Sequence, residues 1–175
     1  MKSGIIKLSL PVPCSVNKAY VNVGLKVKTR AKSLQAKEWK KLALHAALPQ
    51  IRQYRDVCDR NMLNRVKYKK TPAQLNVQAI KAAHPGLRYQ VKYQFFFVDD
   101  IARDIFNFEK LLTDLLVDCG FLLDDNFIEL GIVERMPSDA LNPRVEIEII
   151  YIDSACQKSI KAIQDGGESL LTQTR

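Results

Sequence analysis

The feature that most narrows what this chain can become is a strand followed closely by a helix with a marked stop. Residues 87–98 (LRYQVKYQFFFV) alternate apolar and polar side chains and then run apolar, the strongest strand pattern in the sequence. Residues 103–119 change to a helical period. At 100° per residue Ile105, Phe108, Leu111, Leu112, Leu115, Leu116 and Cys119 share one arc, with Asp104, Asn107, Lys110 and Asp114 on the arc beside it. Gly120 stands where a helix ends in the left-handed conformation. Two more strand patterns follow, at 127–136 and 144–152, separated by a turn from Pro137 to Pro143. One strand, one crossover helix and two strands require helices packed on a small sheet, which is an α+β arrangement.

The preceding residues extend this plan. Residues 4–12 alternate like a strand, and Pro11 and Pro13 hold the next segment extended. Residues 22–32 form a basic loop or ribbon. Ser33 is an N-cap for a helix to about Leu48, with Ala36, Trp39, Leu42, Ala43 and Ala46 on its apolar stripe, and Pro49 is expected to end or kink it. Residues 50–70 are basic and weakly periodic, and a short helix at 73–83 stops at His84-Pro85-Gly86. The resulting order, βα(insert)βαββ, predicts an α+β domain with a small mixed β-sheet packed with helices. It occupies residues 1–152, carries a basic insertion at about 50–86, and is followed by a polar extension, 153–175, expected to be partly disordered.

Charge is unevenly placed. The 175 residues carry a net charge of +8, but residues 1–95 hold 20 basic and 3 acidic side chains, and residues 96–175 hold 7 and 16. Such a split suits binding of a polyanion by the first part and metal or acid chemistry by the second. Lys26, Lys28, Arg30, Lys32, Lys40, Lys41, Lys67, Lys69 and Lys70 are candidate phosphate contacts. Tyr20, Trp39, Tyr54, Tyr68 and Phe106 either pack in the core or stack on unpaired bases. Hydrophobic residues make up 47% of the chain, enough for a core without disulfides, and no apolar run approaches a membrane span. The four cysteines lack metal-site spacing and lie apart from the two histidines. They are expected to be buried thiols of a cytoplasmic protein.

Acidic clusters flank the 103–119 helix. Asp99, Asp100 and Asp104 precede or open it, and Asp124 and Asp125 follow its return turn. Carboxylate-only sets suit Mg²⁺ or Mn²⁺, which take oxygen ligands and keep several waters. The same residues also suit a helix N-terminus and a turn.

Several motifs in order resemble the RusA family of Holliday-junction resolvases. The helix begins Arg103-Asp104-Ile105-Phe106-Asn107-Phe108-Glu109-Lys110 and is followed by Gly120-Phe121-Leu122-Leu123-Asp124-Asp125, similar to the family's Arg-Asp-x-Asp-Asn-x-x-Lys and Gly-Phe-x-x-Asp-Asp. The opening Leu10-Pro11-Val12-Pro13-Cys14-Ser15-Val16-Asn17 resembles the family's L-P-x-P-P-S-x-N, with Cys14 replacing a proline. The resemblance covers about residues 5–35 and 88–152.

It implies a Mg²⁺-dependent endonuclease, Mn²⁺ also serving, that acts as a homodimer on four-way DNA junctions in the cytoplasm of a bacterium or phage-infected cell. Carried over by position, Asp104 and Asp125 are metal ligands and catalytic, Lys110 is the catalytic lysine, and Asn17 and Asn107 are supporting residues. The family's second acid is replaced by Phe106, some 140° from the centre of the apolar arc. Asp100 or Asp124 is the expected substitute ligand. The alternatives are a junction-binding protein that does not cut, and a basic RNA-binding module.

Overall fold

The computed structural model describes residues 4–23, 29–71 and 74–153. The expected extension beyond Asp153 and the candidate contacts Lys26 and Lys28 lie outside them, as do the side chains of Arg30 and Lys70.

Strand β1 (Gly4–Leu10) leads through a single helical turn, α1 (Val16–Ala19), into the ribbon β2 (Tyr20–Val23) and β3 (Thr29–Lys32). Then come α2 (Leu34–Gln53), α3 (Arg55–Lys67), the short pair β4 (Lys69–Thr71) and β5 (Gln74–Leu75), and α4 (Val77–Ala83). Strand β6 (Leu87–Phe96), helix α5 (Phe106–Asp118), a 3₁₀ turn at Asp125–Phe127, β7 (Ile128–Arg135) and β8 (Arg144–Asp153) complete the order. The main sheet is ordered β1-β8-β6-β7. β8 pairs antiparallel with β1 and β6, and β7 pairs parallel with β6. A parallel neighbour requires a crossover, and α5 supplies it. The sheet is therefore mixed, as the sequence predicts.

Period-two alternation sets the two faces. Ile6 and Leu8 of β1, Tyr89, Val91, Tyr93 and Phe95 of β6, and Val145, Ile147 and Ile149 of β8 are buried on one side. They meet Leu111, Leu112, Leu115 and Leu116 of α5, Trp39 and Ala43 of α2, Ile80 of α4, and Phe121–Leu123 of the return turn in one continuous core. The opposite face carries cross-strand pairs such as Lys7 with Glu148 (3.3 Å) and Lys92 with Glu134 (3.0 Å).

Two expectations are corrected, and one segment takes a form that its sequence pattern left open. Helix α2 does not stop at Pro49 but runs on to Gln53. Proline removes only the bond to the carbonyl of His45, and both residues are exposed to water. The next residue, Gln50, accepts from Ser9 N (2.8 Å) and donates to Ser9 O (2.9 Å), which ties the end of the helix to the outer edge of β1. Leu42 is exposed, because the buried stripe passes through Ala36, Trp39, Ala43 and Ala47 and leaves it about 100° to one side. The weakly periodic 50–70 segment is largely helical, because α3 docks by a few specific contacts in place of an apolar stripe.

Those contacts make α3 a clamp on the end of α5. Gly120 ends α5 at φ +79°, and a side chain there would strike the Cys58 carbonyl at 2.7 Å. Asn61, 2% exposed, donates through Nδ2 to Gly120 O (2.8 Å) and Phe121 O (3.3 Å). Arg65 Nη1 donates to Val117 O at 2.6 Å. The last carbonyls of a helix need such partners.

Candidate active site

Helix α5 begins at Phe106, three residues later than the sequence pattern suggests. Two local bonds explain the delay. Arg103 forks onto Asp99 through Nη1–Oδ1 (2.5 Å) and Nη2–Oδ2 (3.0 Å), holding the preceding loop. Asp104 Oδ1 accepts from Phe106 N (3.2 Å) and its Oδ2 from Asn107 Nδ2 (2.7 Å), which is capping geometry. Asp100 lies exposed in the same loop. Asn17 is exposed on α1.

The return turn brings Asp125 back to the middle of α5. Leu122 N donates to Leu116 O (3.2 Å), and Leu123 N donates to the Tyr89 hydroxyl (3.3 Å), so the turn is pinned from the core side. Asp124 caps the following 3₁₀ turn, its Oδ1 accepting from Asn126 N at 3.0 Å. Asp125 then faces a cleft lined by Glu109, Lys110, Thr113, Asp114 and Ile128. Burial, then the adjoining Asp124 carboxyl, raise the Asp125 pKa above the usual carboxylate range; Lys110 opposes this and Asp114 adds to it. Behind the cleft, Thr113 bridges the Tyr93 hydroxyl (2.7 Å) and the Glu109 carboxylate.

The structure thus places Asp125, Asp124 and Lys110 in one neighbourhood. Asp104 lies two residues before α5, its hydrogen bonds directed at Phe106 and Asn107, and it lines neither of the clefts at Asp125. Phe106 is 70% exposed, so packing does not account for it. The sequence reading passed over Asp114 as a site residue. Its signal was present: Asp114 stands four residues after Lys110 on the same arc. It also passed over Asn61 and Tyr89, which hold the Asp125 turn; an asparagine in a basic, weakly periodic segment carries no such signal.

The basic candidates distribute around this site. Lys32, at the end of β3, shares a second cleft with Arg65, Asp114, Asp118 and Asp125. Lys40 is paired with Asp118 at 2.6 Å. Lys67 is exposed, its ammonium 5.2 Å from the centre of the Tyr68 ring, and Lys69 is exposed on β4. Trp39 belongs to the core and donates to Pro11 O at 3.1 Å, so it does not reach a base. Cys58 and Cys119 are buried thiols, their pKa pushed up to about 11 chiefly by desolvation.

Among the described residues no three Asp, Glu, His or Cys side chains converge as a complete metal cluster. The acidic donors near Asp125 are nevertheless carboxylate oxygens, those of Glu109 and Asp114 across the cleft and of Asp124 alongside. That donor set fits a hard divalent cation, which needs only one or two carboxylates when it keeps its waters.

The chain is an α+β domain with a lysine beside paired carboxylates along a polar helix face. The family model described as Endodeoxyribonuclease RusA matches residues 10–150, and the chain belongs to that family. A search among curated proteins finds no match. The matched range takes in the 50–86 segment as well as the motif-bearing parts, and it supports an endodeoxyribonuclease acting on branched DNA. No helix among the described residues is long and apolar enough to cross a membrane.

Proposed function

We propose that this chain is a divalent-metal-dependent endonuclease that resolves four-way DNA junctions, working as a homodimer in the cytoplasm. The observation that carries the reading is the placement of Asp125 between Lys110 and Asp114 with Asp124 alongside, in a chain of the RusA family. In this reading Asp104 and Asp125 are the metal ligands, and Asp124 or Asp100 supplies the carboxylate missing at position 106. Bound Mg²⁺ or Mn²⁺ would supply Lewis-acid polarisation of the scissile phosphate. Lys110 offsets negative charge on the phosphate oxygens. Lys32, Lys67, Lys69 and Lys70 hold the DNA arms, together with Lys26, Lys28 and Arg30, and Asn17 and Asn107 support the site. Two-fold symmetry in the dimer matches the approximate two-fold symmetry of a four-way junction and the need for paired cuts.

The test is incubation with an end-labelled synthetic junction with Mg²⁺, with Mn²⁺ and with neither. Paired nicks at symmetric positions that require metal support the reading, and intact junction in both metals overturns it. Phe106 favours a second reading. An exposed aromatic where the family has an acid also suits a protein that binds junctions without cutting, and the same experiment separates the two by a retarded but uncut junction.

A further inference from the structure

We propose that the cleft between the Pro11–Ser15 segment and the loop after β6 is a pocket for one unstacked nucleotide of the DNA substrate. The proposal rests on the nuclease reading and adds a second DNA contact beside the cutting site.

The cleft encloses about 340 Å³, within the range of small-ligand pockets. Its apolar part is made by Val12, Pro13, Phe97, Phe108 and Pro143. Phe97 and Phe108 stand edge to face, centroids 5.4 Å apart. Its polar part is Ser15, Lys18, Gln35 and Arg103. Lys18 and an Arg103 paired with Asp99 line it, whereas the clefts around Asp125 are lined by Asp114, Asp118 and Glu109. An apolar slot with the Lys18 ammonium at its rim matches a flat base joined to a phosphate.

The cation nearest the slot is already ordered. Arg103 is forked onto Asp99, and its guanidinium carbon lies 5.0 Å from the Phe97 ring centre, so binding would cost little further side-chain freedom. Lys18, on α1, is exposed and available to a phosphate. Arg103 directly precedes Asp104, so a nucleotide held here sits next to one of the proposed metal ligands.

The experiment places 2-aminopurine singly at each crossover position of a junction, and at the centre of a short single strand, with Ca²⁺ in place of Mg²⁺. Fluorescence is read with wild-type protein and with Gln35→Trp and Lys18→Ala. Gln35 is exposed on α2, so both variants should fold, as circular dichroism will show. The expected result is a fluorescence change at one crossover position and on the single strand. Gln35→Trp should abolish it and weaken single-strand binding about tenfold, the scale of one lost base-stacking contact. Lys18→Ala should flatten the salt dependence by about 0.7 log unit for a single strand. No fluorescence change on either DNA, or an undiminished one with Gln35→Trp, overturns the pocket. Equal affinity of wild type for junction and linear duplex overturns the resolvase reading instead, and the single-strand signal still decides the pocket.

Discussion

Replacing Asn61 by Ala should loosen the turn that presents Asp125, at a cost large for one side chain. Asn61 is buried, and its amide is the partner recorded for the carbonyls of Gly120 and Phe121, at 2.8 and 3.3 Å. Its side chain also lies within hydrogen-bonding reach of the Tyr89 phenol, whose pKa burial pushes up to about 12. Alanine leaves two carbonyls without their donor in a site with little access to water. An orphaned buried polar group costs about 1–3 kcal/mol. The 3.3 Å bond is the weaker of the two, so a total of roughly 2–4 kcal/mol is expected, against a whole-domain stability of about 5–15 kcal/mol. Urea unfolding at pH 7 measures the loss. Amide exchange at Leu123, whose N–H donates to Tyr89, reports whether the turn itself has opened. A loss below about 0.5 kcal/mol, the size of an ordinary surface substitution, with unchanged protection at Leu123, would refute the idea that α3 fixes the Asp125 turn.

Three further outcomes are expected. Phe106→Asp should raise Mn²⁺ affinity and junction cleavage together, since a carboxylate next to Asp104 is favourable only with a bound cation. Calorimetry and a cleavage time course check it, and a cleavage rate unaffected by tighter metal binding counts against it. Replacing Lys67, Lys69 and Lys70 together by Ala should weaken junction binding and lower the salt dependence by about 0.9 log unit per lost phosphate contact. Unchanged affinity in a salt titration removes this cluster from the footprint. The raised pKa of Asp125 makes the folded state the better proton binder. Below the ordinary value of 3.8 the group is neutral folded and unfolded, and as pH rises through the folded pKa its charge weakens the fold. Asp125→Asn should therefore raise the urea midpoint at pH 7 and lose that advantage by about pH 3; an equal gain at both pH values would show that charge is not the cause.

What the sequence alone determined is whatever follows from periodicity and local chain stereochemistry. Alternation along 87–98 specified β6 and its buried face, because side chains on a strand point alternately to opposite sides. The arc from Leu111 to Leu116 specified the core side of α5, and Gly120 its end, because only glycine enters the left-handed region without penalty. Ser33 specified the start of α2, where its hydroxyl accepts from Ala36 N at 3.2 Å. The ordered motifs from Leu10 to Asp125 carried the family. The tertiary structure decided the rest. It carried α2 past Pro49, because Gln50 finds its partner on β1, forty-one residues away in sequence. It made a helix of 55–67 through docking onto the end of α5. It brought Asp124 and Asp114 to bear on Asp125. Which charges meet across a fold depends on how elements pack. Periodicity tells which side of an element faces inward, and it does not tell which residue of another element waits there.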